Sequence, residues 1–160
     1  MPRYSAFRLA VLLYAGTACA QSESPAPKEV LTYNIEWRLI TAGKAVIAWR
    51  PTEVEGHAGW QAHLDLESAG MVSRLYKVEM ESDSTVDQDF CAVSTLTTGR
   101  EGSRRRETSV TFDAEAHKAF YRERDLVKNA VISNQQVAIP PCVHDVLGGM
   151  FYLRGLELEP

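Results

Sequence analysis

The chain has 160 residues, with 17 Lys and Arg against 21 Asp and Glu and a formal net charge of −4. That acidic balance argues against a nucleic-acid partner, because phosphate binding relies on a basic face. No stretch approaches the roughly 20 apolar residues that a membrane-spanning helix needs.

Arg3 and Arg8 flank a positive start, Leu9–Ala15 is a short apolar run, and Ala18-Cys19-Ala20 fits a small-x-small cleavage pattern. The expectation is an export signal over residues 1–20, cut between Ala20 and Gln21. A lipidated Cys19 is the rival reading, but it needs an aliphatic residue where Gly16 stands. Residues 21–28 carry Pro25 and Pro27 and no apolar pattern, and read as a flexible leader. A single domain over residues 29–160 follows. Loss of the signal would remove two arginines and no acids, leaving 15 basic and 21 acidic residues, a net charge of −6.

Val30–Trp37 alternates cleanly, with Leu31, Tyr33, Ile35 and Trp37 on one face, and reads as a half-buried strand. Ala42-Gly43-Lys44 is read as a turn into a second strand, Lys44–Trp49, and Pro51–Gly59 as a loop. Trp60–Glu67 alternates again, placing Trp60, Ala62, Leu64 and Leu66 together and His63 on the polar side. Ser68–Tyr76 suits a short helical turn. Lys77–Asp87 and Cys91–Thr98 read as extended, and Arg100–Arg106 as a charged turn. Thr108–Phe112 and Lys118–Arg124 form a hairpin, and the β-branched stretch Leu126–Ile139 is extended until Pro140-Pro141 stops it.

After those prolines the period becomes helical. Val143, Val146, Leu147, Met150, Phe151 and Leu153-Arg154 recur at i, i+3, i+4 spacing, and Gly155 suits the stop. Gly148-Gly149 weakens such a helix but allows close packing on a sheet. The expected fold is mainly β. It is a curved antiparallel meander of about seven strands, partly open and barrel-like, with one C-terminal amphipathic helix on its concave face.

The segment Ile139–Leu156 resembles the signature of a bacterial periplasmic family known only as a domain of unknown function, number thirty-one hundred and eight. The family's opening strand is matched by Tyr33, Ile35, Trp37, Ile40, Ala42, Gly43 and Ala45. Its later pattern is matched by Pro140-Pro141, Asp145-Val146 and Tyr152-Leu153-Arg154. The resemblance implies an exported, curved antiparallel sheet and supplies no catalytic residues. Family members usually continue with further strands, so the resemblance also implies a shortened member.

Cys91 and Cys142 most simply pair in an oxidising compartment. Two free thiols, or a reactive or metal-binding Cys142, are the alternatives. Cys142, His144 and Asp145 lie near a helix start, where a thiol pKa falls, but residues two apart on a helix diverge. Asp145 is better placed as a helix cap. His57, His63, His117 and His144 lack metal-ligand spacing, and no cofactor is implied. Arg104-Arg105-Arg106 reads as a solvated strand edge, with recognition of an anionic headgroup or a carboxylate partner as the alternative. Trp37, Trp49 and Trp60, with Tyr152 of the helix, are core residues or the lining of a pocket for a lipid-like, envelope-derived ligand. The alternative is a surface for an envelope protein partner.

Overall fold

The computed structural model describes residues 29–156. The expected signal, its cleavage site at Ala20 and Gln21, and the leader lie outside the described residues. Eight strands form one antiparallel sheet in which every strand pairs with the next: β1 Glu29–Trp37, β2 Ile40–Val54, β3 His57–Ser68, β4 Val78–Asp87, β5 Ala92–Glu101, β6 Arg104–Asp113, β7 Lys118–Asp125 and β8 Ala130–Ala138. A six-residue helix, α1 (Gly70–Leu75), links β3 to β4, and α2 (Val146–Gly155) follows β8.

The mainly β meander with a C-terminal helix is as the sequence implies, with three corrections over β1–β6 and a turn at 126–129 that breaks the expected extended stretch Leu126–Ile139 and makes β8 an eighth strand. The first turn falls at Arg38-Leu39 and not at Ala42–Lys44. Both turn residues are left-handed (φ 48° and 67°), the conformation that matches strand twist in a two-residue hairpin. Gly43 is instead inside β2, where a Cβ would meet the Glu67 carbonyl oxygen at 2.6 Å. The expected loop at Pro51–Gly59 is mostly strand: β2 runs on to Val54 and turns at Glu55-Gly56. Pro51 is tolerated because the register of β1 ends at Glu29 opposite Trp49, so beyond that point β2 pairs only with β3 among the described residues. Third, Arg104–Arg106 is neither turn nor edge, since β6 lies between β5 and β7.

The cross-strand register assigns the faces. Ala45, Ile47 and Trp49 of β2 stand opposite Leu66, Leu64 and Ala62 of β3, which stand opposite Met80, Ser82 and Ser84 of β4. Leu31, Tyr33 and Ile35 of β1 share this face. It becomes polar along the sheet, passing through Thr95 and Thr97 of β5 to Thr108 of β6 and Glu123 of β7. Helix α2 packs on the apolar part. Leu147 and Phe151 join Ile47, Trp49, Ala62 and Val86 in the buried cluster. Burying such side chains stabilises by roughly 1.5–3 kcal/mol each.

The two helix glycines differ. A Cβ on Gly148 would lie 2.8 Å from Val86 Cγ1 and 2.9 Å from Asp145 Oδ1, whereas one on Gly149 would lie 3.6 Å from His144 Cβ, an ordinary contact. Gly148→Ala is therefore expected to lower stability by about 2 kcal/mol through overpacking. Gly149→Ala is expected to raise it by up to about 1 kcal/mol through helix propensity. Urea denaturation of the two variants checks the opposite signs.

Candidate functional site

Aromatic rings gather where α2 meets the sheet. Trp49 stacks on Trp60 at 4.7 Å and on Phe151 at 4.0 Å, and Phe90 lies parallel to it at 5.6 Å. Phe90 meets Tyr152 edge-on at 6.4 Å, and Tyr152 stacks on His144 at 4.3 Å. Three of the four aromatic residues singled out from the sequence, Trp49, Trp60 and Tyr152, thus share one cluster. Trp37 does not. A register shift between Ile35 and Glu36 precedes it, and it stands at the far end of β1 beneath the Arg38 guanidinium. Phe90 joins the cluster from the β4–β5 connection, where no periodicity marks it in the sequence.

Helix α2 is fastened at its N-terminal end. The segment before it is joined to the β4–β5 connection by the Cys91–Cys142 disulfide, with the Cα atoms 5.1 Å apart. Next to that bond, the Ala92 N–H donates to the Val143 carbonyl at 2.7 Å, and His144 Nδ1 lies 2.8 Å from the Phe90 carbonyl oxygen. The expected pairing of Cys91 with Cys142 is therefore present, and Cys142 offers no thiolate in this state. It also precedes the helix, so no helix N-terminus acts on it.

Asp145 does more than the cap read from the sequence. Its Oδ1 accepts from the Gly148 N–H at 2.6 Å, as an N-cap should. Its Oδ2 accepts from the Ser84 hydroxyl of β4 and from Thr95 Oγ1 of β5 at 2.7 Å. Ser84 is fully buried. One carboxylate thus caps the helix and ties it to two strands. At the other end of α2, Arg154 forms a two-pronged pair with Glu29 of β1, at 2.7 and 3.1 Å.

The helix crosses the aromatic floor as a strap between two open grooves. One, of about 540 Å³, is bordered by Phe90, Cys91, Cys142, His144 and Tyr152. The other, of about 370 Å³, is bordered by Glu29, Trp49, Phe151 and Arg154. Beyond the strap the same face continues through Leu31, Tyr33, Ile35, Leu64, Leu66 and Met80, all half-buried or exposed. Among the described residues no His, Cys, Asp and Glu cluster has the geometry to hold a metal ion.

Residues 32–160 match the family described as Protein of unknown function (DUF3108). The chain belongs to the DUF3108 family. The resemblance read from Tyr33 to Arg154 is therefore correct. No curated protein and no solved structure matches the chain. In this DUF3108 chain, the proline pair, Asp145 and the Tyr152-Leu153-Arg154 run belong to the strap and its attachments.

On the polar part of the same face, Arg106 bonds Glu123, whose other oxygen accepts from the Tyr121 hydroxyl at 3.1 Å. The Arg106 bond holds the Glu123 carboxyl below the usual carboxylate range. The Lys77 ammonium does the same for Glu79, and the Lys128 and Val127 N–H groups do so for Asp125. A carboxyl that binds protons less readily when folded stabilises the fold above its unfolded pKa, at about pH 4, and loses that contribution as pH falls further. The denaturation midpoint is expected to stay flat from neutral pH to about 5 and to drop below about 4. Arg106→Gln should shallow that drop, as urea titrations across pH will read.

Proposed function

We propose that this protein is an exported, non-enzymatic module that binds an apolar molecule derived from the cell envelope. The ligand would lie on the helix-bearing face, with the aromatic stack under α2 at one end of its seat. One observation carries this reading. The register sets Leu31, Tyr33, Ile35, Leu64, Leu66 and Met80 on the strap's side of the sheet, yet none of them is buried. A protein usually hides such a continuous apolar strip or uses it. The export signal read over residues 1–20 and the disulfide both agree with an oxidising compartment.

Native mass spectrometry and organic extraction of protein isolated from the periplasm test the reading. The expected result is a bound apolar species that disappears in Leu64→Asp. Consistently empty protein across preparations would sink it. Cell fractionation tests the compartment independently.

The alternative, a structural or partner-binding envelope protein, draws support from strand β8. Among the described residues it ends the sheet, and Ala130–Ala138 carries no charged residue and no proline to discourage pairing. Crosslinking from Gln136 to a specific envelope protein, with no apolar species bound, would favour it.

A further inference from the structure

In an antiparallel meander, alternate connections emerge at the same end. The connections 38–39, 69–77, 102–103 and 126–129 therefore share one end of the sheet, and 55–56, 88–91 and 114–117 share the other. Two contacts anchor the 69–77 connection, one to the start of β2 and one to the 102–103 turn. The Ala69 N–H donates to the Ala42 carbonyl and the Gly102 N–H to the Lys77 carbonyl, both at 2.8 Å.

The two ends have opposite chemistry. The first set carries Arg38, Arg74, Lys77 and Lys128 and no Asp or Glu, although Lys77 pairs with Glu79 of the adjoining strand at 2.6 Å. The second carries Glu55, Asp89 and Glu115 and no Lys or Arg. Large apolar side chains divide the same way. At the first end Leu39 is 98% exposed, Leu75 82%, Met71 65% and Val127 64%, whereas no connection at the acidic end has an exposed one. Trp37, 63% exposed, stands beside them with Arg38 over its ring at 5.2 Å.

We propose that this end docks peripherally on an anionic lipid bilayer, with Leu39, Leu75, Met71 and Val127 entering the headgroup–acyl boundary. An acidic chain that gathers cations and bare apolar tips at one pole is oriented by a negative surface and attracted to it there. The mixture suits that boundary. Apolar tips leave water, arginine and lysine stems lie along apolar surface with their charges at the headgroups, and an indole favours the same depth. Among the described residues no helix is long and apolar enough to cross the membrane, and surface docking needs none. These residues are separate from the apolar seat proposed above, so either idea can fail alone.

Co-sedimentation of the protein with unilamellar vesicles tests this. Binding is expected to equimolar phosphatidylglycerol and phosphatidylcholine, with much weaker binding to phosphatidylcholine alone and a steep loss at high salt. Arg38→Glu and Lys128→Glu should each weaken binding to the anionic vesicles by at least about fivefold. Leu39→Asp with Leu75→Asp should abolish it, while Val30→Asp on the outer face of β1 should not. Both leucines are exposed, so these variants should keep the wild-type circular dichroism and melting. Brominated lipids should quench emission from the wild type and not from Trp37→Phe. Failure to bind anionic vesicles, or equal binding by the Leu39/Leu75 variant, would overturn the proposal.

Discussion

Asp145→Ala is expected to lower the stability of the fold by about 4 kcal/mol. The carboxylate accepts the helix-capping N–H of Gly148, the Ser84 hydroxyl of β4 and the Thr95 hydroxyl of β5. Loss of a cap alone costs about 1 kcal/mol. Each hydrogen bond to a charged group is worth about 1.5–3 kcal/mol, and a buried hydroxyl left unpaired adds a desolvation penalty. Ser84 would be left so, because it is fully buried. Asp145→Asn should lose less, about 2 kcal/mol, since it keeps an acceptor oxygen but not the charge. Urea denaturation measures both. In a double-mutant cycle, Ser84→Ala with Asp145→Ala should cost clearly less than the two single losses added together. A loss below about 1 kcal/mol for Asp145→Ala would mean that the strap is held without the Asp145 carboxylate, by the disulfide, the Arg154–Glu29 pair and its apolar contacts.

Breaking the covalent tie should have a comparable effect. Cys91 and Cys142 are separated by 51 positions, and cross-linking a loop of that length stabilises by about 4 kcal/mol in the chain-entropy account. Cys91→Ala with Cys142→Ala is expected to lose about that much, and a dithiol reductant should shift the melting of the unmodified protein in the same direction. The structure adds a spectroscopic signature. Trp49 is buried between Trp60 and Phe151, so loosening α2 would wet its indole and red-shift its emission. Unchanged stability in the double variant would show that the remaining attachments, among them Ala92 to Val143, Asp145 to Ser84 and Thr95, Arg154 to Glu29 and the packing of Leu147 and Phe151, are sufficient without the disulfide.

Much of this architecture can be read from the amino-acid order because β1, β3 and β4 alternate with a period of two. Leu31 with Tyr33, and Trp60 with Ala62, Leu64 and Leu66, take the faces their spacing assigns. Turns were harder. The first hairpin uses Arg38 and Leu39 in a left-handed conformation that neither residue advertises, while Gly43 serves close strand approach and not reversal. The stretch Leu126–Ile139 reads as continuous because Val127 is β-branched. The Asp125 carboxylate instead receives the Val127 and Lys128 N–H groups at 2.9 Å each and folds 126–129 into a turn. That turn makes β8 a separate eighth strand. The aromatic site was half legible. Trp49 and Trp60 follow from alternation, and Phe151 from the helical period. Phe90 joins them only because Asp87 shapes its connection, accepting the Asp89 and Cys91 N–H groups at 2.9 Å. Nothing in the linear pattern tells that Trp37 is separated from the others by a register shift.

Nearest-neighbour pairing throughout the sheet has a consequence for how the molecule is made. Each strand needs only its predecessor, so the sheet can be laid down in the order of synthesis, hairpin by hairpin. The distant closures all wait for α2: Cys142 to Cys91, Asp145 to Ser84 across 61 positions, and Arg154 to Glu29 across 125. A ribbon that has zipped up but lacks its clasp would be the natural late species of refolding, with most of its strands formed and Trp49 still in water.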